Sequence, residues 1–350
     1  MKVLKFGGTS VGSAQRMKEV AKLITDGERK IVVLSAMSGT TNTLVEISDY
    51  LYKKNPEGAN EIINKLESKY RQHIDELFAT PEYKQKGLEL IKSHFDYIRS
   101  YTKDLFTLFE EKVVLAQGEL ISTAMMNYYL QECGVKSVLL PALEYMRTDK
   151  NAEPDPVYIK DKLQVQLELH PDAEIYITQG YICRNAYGEI DNLQRGGSDY
   201  TASLIGAAIN ASEIQIWTDI DGMHNNDPRI VDKTAPVRHL HFEEAAELAY
   251  FGAKILHPTC IQPAKYANIP VRLLNTMDPT APGTLISNDT EKGKIKAVAA
   301  KDNITAIKIK SSRMLLAHGF LRKVFEIFES YQTSIDMICT SEVGVSVSIR

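Results

Sequence analysis

A pair of glycines stands between an apolar run and a helical pattern near the start of the chain. Residues 5–12 read KFGGTSVG, with Lys5 ahead of Gly7 and Gly8. A strand that turns into a helix there brings backbone N–H groups and the positive end of the helix dipole together, which makes an anion site. Lys5 adds a point charge of the kind used in phosphate loops. The nucleotide-binding motifs GxxxxGK[ST] and GxGxxG are both absent. The spacing therefore equally allows a tight turn that needs φ > 0.

A second glycine pair has the same form, in NLQRGGSDYTASLIGAAI at residues 192–209. Arg195 precedes the glycines, and we predict Ser198 as the N-cap of the helix that follows. Arginine at this place suits bidentate binding of a carboxylate or phosphate. Asp199 also fits an ordinary acid in the first helical turn. Two such loops, each with a cation just upstream, indicate two anionic ligands or the two ends of one reaction.

A turn-rich loop follows a third strand-like run, in WTDIDGMHNNDPR at residues 217–229. Asp219, Asp221 and Gly222 resemble the start of a calcium loop, but the glycine comes two positions early and Ile230 replaces the closing glutamate, which excludes an EF-hand. A loop after a parallel strand is well placed to hold the base and ribose of a nucleotide. A turn without a ligand is the alternative.

Two further charged residues are candidates. Glu119, in VLAQGEL at 114–120, is predicted in the first turn of a helix, where it either favours the dipole or binds a ligand ammonium group. Lys254, in YFGAKILHP at 250–258, either completes a helix terminus or faces a ligand. The pair His239 and His241 lacks a third ligand at metal spacing, so strand histidines facing solvent are the interpretation.

These candidates depend on alternating strands and helices. Helical patterns separate apolar runs, which predicts a mainly parallel sheet covered on both faces, with ligands beyond the carboxyl ends of its strands. The predicted strands are 3–6, 31–35, 137–141, 174–180, 213–219 and 269–274. Residues 42–115 are a helical excursion with breaks at Pro56 and Pro81, either a lobe over the site or a surface hairpin. Residues 278–300 are loop-like, and a strand–helix–strand–strand unit follows.

Composition sets limits on the class of protein. The chain has 350 residues, 44% hydrophobic and 25% charged residues and a formal net charge of −4. Mixed charge argues against nucleic-acid binding, and no apolar run approaches the ~20 residues that span a bilayer. The four cysteines lie far apart without a CxxC pair, which favours a reduced, cytoplasmic protein without a zinc site.

Taken together, the motifs resemble the aspartate kinases of the amino-acid kinase family. KFGGTSVG, VLSAMSGTTN at 33–42, GEL at 118–120, QRGGSDYTA at 194–202, WTDIDGMHNNDPR and FGAKILHP occur in the family's order. The resemblance implies a three-layer α/β/α fold with an open, mainly parallel eight-stranded sheet in a catalytic domain over 1–290. The tail at 291–350 resembles the first part of an ACT regulatory domain, an α+β unit whose sheet edge we expect to pair with something outside this segment.

The resemblance also implies a reaction. ATP and L-aspartate would give ADP and 4-phospho-L-aspartate, the first step towards lysine, threonine, methionine and diaminopimelate. The alternatives are a sibling enzyme acting on glutamate or N-acetylglutamate, and a catalytically silent amino-acid sensor that works through the ACT-like unit. Mg²⁺ would accompany ATP and be held mainly by nucleotide oxygens, with no protein metal site. A homodimer without nucleic-acid or membrane partners is expected, with lysine, threonine, both or neither as effector.

Site residues follow from the resemblance position by position. The residues expected to act in catalysis are Lys5, Asp199 and Lys254. The expected ATP contacts are Lys5, Phe6, Gly7, Gly8, Ser10, Thr218, Asp219, His224, Arg229 and Lys254, where His224 replaces a tyrosine of some relatives. The expected aspartate contacts are Ser35, Thr41, Glu119, Arg195, Gly197, Ser198 and Asp199. The possible effector contacts are Met314, Gly319, Phe320, Leu321, Asp336, Thr340 and Ser341.

Overall fold

The structure is a computed structural model. It divides into two compact units, Met1–Val298 and Ala299–Arg350, with the division eight residues beyond the predicted boundary at 290. The residues that it describes are 1–193, 196–227, 230–251, 256–291, 293, 295–300, 302–311, 314 and 318–349.

An eight-stranded sheet forms the centre of the first unit. Its strands are β1 (Lys2–Phe6), β2 (Lys30–Leu34), β3 (Ser137–Leu140), β4 (Ile175–Gln179), β7 (Ile214–Thr218), β8 (His239–His241), β9 (Val271–Asn275) and β10 (Thr284–Ser287). Their spatial order is β3–β4–β2–β1–β7–β9–β10–β8. All neighbouring strands are parallel except β9 and β10. A separate two-stranded sheet pairs β5 (Ile182–Arg184) with β6 (Ile190–Asn192).

The six predicted strands are confirmed. The reason is burial on both faces: every residue of β2, and every residue of β1 after Lys2, is buried, so these central strands consist mainly of apolar residues. The prediction that 278–300 is a loop throughout is wrong, because β10 pairs antiparallel with β9 inside it. The run of four residues was too short to stand out beside Pro282 and Gly283.

Helices cover both faces of the sheet, and each face has its own core cluster. The three-layer fold is therefore confirmed. One cluster lies under α1 (Ala14–Ile24), α2 (Thr40–Tyr52), α3 (Pro56–Leu77), α4 (Pro81–Ser100) and α5 (Leu108–Glu132). The other includes residues of α6 (Ala142–Tyr145), α7 (Pro156–Glu168), α8 (Gly197–Ile209), α9 (Phe242–Phe251), a 3₁₀ helix (Pro258–Ile261) and α10 (Gln262–Tyr266).

The predicted helical excursion is formed by α2 to α5. Pro56 and Pro81 stand in the first turns of α3 and α4, after the side-chain caps Asn55 and Thr80, as proline without an N–H allows. The helix α5 begins earlier than the sequence indicated, at a capping box of Thr107 and Glu110. The prediction that Glu119 lies in a first turn is therefore wrong, because it lies in the middle of α5.

The second unit is a strand–helix–strand–strand arrangement, as predicted. The elements are β11 (Thr305–Lys310), α11 (Phe320–Ser330), β12 (Ile335–Ser341) and β13 (Gly344–Ile349). The three strands form an antiparallel sheet with the order β11–β13–β12. In the part of the chain that the structure describes, no helix combines the length and apolar character needed to cross a membrane.

Candidate active site

The first glycine pair lies at the carboxyl end of β1. Neither Gly7 nor Gly8 has a positive φ, so the alternative of a left-handed turn is wrong. A Cβ on Gly8 would lie 2.8 Å from the carbonyl oxygen of Ala36, and one on Gly7 would lie 3.5 Å from Lys5 Nζ. The glycine at position 8 therefore lets this loop pack directly on the backbone of the loop after β2.

The helix after this loop begins later than the motif suggested. Ser13 is the N-cap of α1, and its side chain accepts a hydrogen bond from the Arg16 N–H at 3.2 Å. Five residues therefore separate Gly8 from the first residue of α1. The positive end of the α1 dipole therefore lies further from Gly7 and Gly8 than the sequence predicted.

The second glycine pair begins α8, and here the left-handed conformation is required. Gly196 has φ +74° and Gly197 has φ +48°, and a Cβ on Gly196 would lie 1.7 Å from Cys260 Sγ. Gly196 is the N-cap of α8 and offers no side-chain hydrogen bond. The prediction of Ser198 as the N-cap is thus wrong, because its hydroxyl accepts a hydrogen bond from Ser35 Oγ at 2.9 Å. Arg195 lies outside the described residues.

The two glycine loops meet through an ion pair. Lys5 Nζ lies 2.7 Å from Asp199 Oδ1, and both side chains are largely buried. The approach is off the hydrogen-bonding direction, since Oδ1 has no hydrogen-bond partner among the described residues. Asp199, in the first turn of α8, therefore fixes the position of the Lys5 ammonium group at the carboxyl end of β1.

Glu119 places a second carboxylate near this edge of the sheet. Its side chain is only 4% exposed, and its Oε1 accepts a hydrogen bond from the Ala36 N–H at 3.2 Å. Its Oε2 has no hydrogen-bond partner among the described residues. Burial raises the pKa of Glu119 to about 7, against the opposing effect of backbone N–H donors. A buried carboxylate oxygen without a donor is a site prepared for a cationic or N–H group of a ligand.

Hydroxyl groups connect the elements that carry these carboxylates. Ser35, directly after β2, bonds to Ser198 on α8, and its carbonyl accepts from Ser122 on α5 at 2.8 Å. Thr41 lies half-buried in the first turn of α2. The structure thus gathers Ser35, Glu119 and Ser198 around the loop after β2, in line with their prediction as one group.

The loop after β7 carries the predicted nucleotide residues. Thr218 ends β7, and Asp219 is exposed. His224 Nδ1 lies 2.8 Å from Thr234 Oγ1. Asp221 instead holds the loop together, because it accepts hydrogen bonds from Arg238 and from the Gly283 N–H. Arg229 and Lys254 lie outside the described residues.

Two predicted nucleotide contacts point into the protein. The Phe6 ring is fully buried and stacks on Trp217 with 5.6 Å between ring centroids, so only the backbone of Phe6 can reach a ligand. The Ser10 hydroxyl is buried and lies 2.8 Å from Thr276 Oγ1. Thr276 follows β9 and was missed in the sequence, although polar residues after parallel strands are the expected signal.

Comparison with known proteins assigns this chain to a family. Residues 1–275 match the model of the amino acid kinase family. The chain belongs to the amino acid kinase family. It is 35% identical to the lysine-sensitive aspartokinase 3 of Escherichia coli (strain K12), over 99% of this chain and 78% of that protein. It is 38% identical to the chloroplastic aspartokinase 1 of Arabidopsis thaliana, but spans only 63% of that relative's length.

Solved structures agree with this family assignment. The E. coli aspartokinase III in complex with aspartate and ADP superposes with a TM-score of 0.84 at 33% identity. The alignment covers 100% of this chain and 78% of that one. The same enzyme in complex with lysine and aspartate gives a TM-score of 0.81 at 34% identity. The recognised resemblance to the aspartokinases is therefore confirmed.

The predicted effector residues of this chain lie in its second unit. Gly319 is the N-cap of α11 with φ +81°, and Phe320 and Leu321 begin that helix. Asp336, Thr340 and Ser341 lie on β12, while Met314 stands alone between residues outside the described part. Their role in binding an effector stays a prediction.

Proposed function

We propose that this chain transfers the γ-phosphoryl group of ATP to the β-carboxylate of L-aspartate, giving ADP and 4-phospho-L-aspartate. One observation carries the proposal: a buried Glu119 oxygen without a partner lies in the same loop assembly as the Lys5–Asp199 pair. An amino-acid ammonium group could bind the Glu119 oxygen, and a phosphate could bind the Lys5 ammonium group. The relatives' names and the aspartate and ADP of the E. coli structure support the same substrates.

The acceptor needs no general base. A free carboxylic acid with a pKa near ~4 is already ionised at neutral pH, so the difficulty is to bring one anion up to another. Glu119 would bind the ammonium group of aspartate, while Ser35, Thr41 and Ser198 supply hydroxyl groups and Gly197 allows close approach. Arg195 would bind the α-carboxylate. Held in this way, aspartate presents its β-carboxylate to the phosphate, and positioning supplies much of the rate.

The nucleotide would lie on the β1 and β7 side of the site. Lys5 and the backbone at Gly7 and Gly8 would contact the phosphates, with Lys254 neutralising further charge. The base and ribose would lie against Thr218, Asp219, His224 and Arg229. The Asp199 carboxylate contacts Lys5, and the ionised acceptor has no proton for a base to remove. We therefore assign Asp199 to holding the lysine in place. Charge neutralisation of this kind dominates phosphoryl transfer.

Mg²⁺ is proposed as part of the substrate complex. The ion would be bound mainly by phosphate oxygens and water, as is usual for Mg²⁺. When bound, it would neutralise the charge on the β- and γ-phosphates. The residues around Lys5 would then need to balance only the remaining negative charge of the nucleotide.

The wider setting is proposed from the resemblance. The second unit would be part of an ACT-like regulatory domain that binds an amino-acid effector through the residues named above. The chain would act as a homodimer in the cytoplasm, at the entry to lysine, threonine, methionine and diaminopimelate synthesis. Equilibrium dialysis with lysine and threonine, and sedimentation of the protein, test the effector and the oligomeric state directly.

Trapping with hydroxylamine tests the reaction. The protein is incubated with Mg-ATP and one acceptor at a time, and acyl phosphates are captured as hydroxamates. A hydroxamate with aspartate alone is expected. A product only with glutamate or N-acetylglutamate would move the assignment to a sibling enzyme of the same fold. No product with any acceptor, together with tight amino-acid binding, would instead indicate a sensor.

A further inference from the structure

Thr276 connects three elements at the nucleotide side of the site. It follows β9, which neighbours β7, which in turn neighbours β1. Its N–H donates to the Thr218 carbonyl at 2.8 Å, and its hydroxyl reaches the same carbonyl at 2.5 Å. The same hydroxyl oxygen lies 2.8 Å from Ser10 Oγ. One threonine side chain therefore joins the loop after β1 to the end of β7.

The direction of these hydrogen bonds is fixed by chemistry. The Thr218 carbonyl can only accept, so the single hydroxyl proton of Thr276 goes to it. Thr276 Oγ1 then accepts from Ser10, and the Ser10 proton is used as well. Ser10 is 1% exposed, and its N–H donates to the Gly7 carbonyl at 3.0 Å. Both donors of Ser10 are thus engaged within the protein rather than directed towards a ligand.

We propose that Thr276 is a positioning residue for ATP, acting with Ser10 to set the spacing between the phosphate loop and the nucleoside loop. The loop from Gly7 to Ser10 would hold the phosphates, and Thr218 begins the loop for the base and ribose. A nucleotide must span both. The inference rests on the proposed function for the identity of the ligand, and it assigns Ser10 an indirect role in place of direct phosphate contact.

The residues proposed to bind aspartate provide a control within the same protein. Ser35, Glu119 and Ser198 are fixed by hydrogen bonds to one another's loops and have no bond to Thr276 among the described residues. Loss of the Thr276 hydroxyl should therefore change the affinity for ATP and leave that for aspartate unaltered. A general loss of fold would change both.

The test compares Thr276→Val with Thr276→Ser and Ser10→Ala. Valine keeps the branched shape and the backbone N–H but lacks the hydroxyl, while serine restores it. Loss of one neutral hydrogen bond between the loops corresponds to an effect of about 3- to 10-fold. We expect Thr276→Val and Ser10→Ala each to raise the Kd for Mg-ATP and its KM by about 5-fold. Thr276→Ser should stay within about twofold of the wild type.

The double variant decides between a shared and an independent role. Because the Ser10 hydroxyl acts only through its hydrogen bond to Thr276, which Thr276→Val already removes, Ser10→Ala with Thr276→Val should bind Mg-ATP no more weakly than Thr276→Val alone. The proposal would be overturned if the losses of Mg-ATP affinity in the two single variants multiplied in the double variant. It would also be overturned if Ser10→Ala bound Mg-ATP more weakly and Thr276→Val did not. Thr25→Val is the matched control, since that hydroxyl donates to the Ala21 carbonyl at 2.8 Å at the far end of α1. It should leave nucleotide binding unchanged.

Direct calorimetry of Mg-ATP binding separates this inference from the proposed function. Weakened binding in the variants of a wild type that forms no hydroxamate would support the positioning role and refute the reaction. Normal hydroxamate formation with unchanged ATP binding in all variants would refute the positioning role alone. A wild type that binds no Mg-ATP would overturn both.

Discussion

Replacement of Glu119 by glutamine tests the acceptor site at a residue whose charge destabilises the free protein but is expected to bind aspartate. The carboxyl group is buried in α5, and its Oε2 has no donor in the described part of the chain. Glutamine keeps the shape and can still accept from the Ala36 N–H, but it carries no charge. Glu119→Gln should therefore stabilise the free protein and weaken aspartate binding at the same time.

The gain in stability has a defined pH range. Burial raises the pKa of Glu119 from 4.5 to about 7, so the folded protein holds this proton more tightly than the unfolded chain. The associated stability is fully present below pH 4.5 and is lost as the pH rises through about 7. At 1.36 kcal/mol per pH unit, the charged form costs the fold about 3 kcal/mol. The variant avoids this cost.

The difference in stability between Glu119→Gln and the wild type should thus grow from near zero at pH 4.5 to about 3 kcal/mol at pH 8. For a unit of 298 residues, this corresponds to a rise in melting temperature of about 5 °C at pH 8. Denaturant unfolding at several pH values measures it. Glu89→Gln, at an exposed position on α4, is the control and should show no such trend.

Aspartate binding should strengthen as the pH rises, whereas the stability of the free protein should fall. With a pKa of about 7, roughly a tenth of Glu119 is ionised at pH 6 and most of it at pH 8, so the wild-type KM for aspartate should fall about tenfold over that range. Loss of the charged partner should raise this KM by about 10- to 100-fold at pH 8 and remove its pH dependence. A variant with the wild-type KM, or with a stability difference that does not change with pH, would refute the reasoning.

Three further predictions concern the phosphate side. Lys5→Ala should lower kcat by about 10²- to 10³-fold with the Kd for aspartate nearly unchanged; unaltered turnover would exclude Lys5 from the phosphate site. Gly196→Ala should abolish turnover and lower the melting temperature, because its Cβ would meet Cys260 at φ +74°. Gly188→Ala, at φ +83° with nothing within 4 Å, should cost only about 1 kcal/mol, and equal effects would contradict the tight packing. EDTA should stop hydroxamate formation, and added Mg²⁺ should restore it, without a change in the melting temperature of the free protein.

Most of the fold could be predicted from the sequence, because the patterns that indicate strands and helix starts are local. Central strands such as β2 are buried throughout and read as unbroken apolar runs, and Pro56 and Pro81 mark helix starts directly. The beginning of α5 was misplaced since its apolar pattern has no single face: the helix is buried all round near Glu119. Periodicity cannot locate the end of a helix that lacks an exposed side.

The site was harder to predict, because its contacts join distant parts of the chain. Lys5 meets Asp199, and Ser10 meets Thr276, and no local pattern reports such pairs. The residue types and their place after strands predicted the groups around both glycine loops. They could not predict that Ser198 bonds to Ser35 instead of capping α8, since that choice depends on how β2 and α8 approach each other.

The arrangement of contacts indicates where transfer would take place. The proposed acceptor residues depend on β2, α5 and α8, whereas the proposed nucleotide residues depend on β1, β7 and β9. The Lys5–Asp199 ion pair bridges these two sets, because Lys5 belongs to β1 and Asp199 to α8. Two anions that react must meet beside a cation that both can approach. Among the described residues, Lys5 is the cation at that boundary, so we propose that the transferred phosphoryl group lies beside its Nζ.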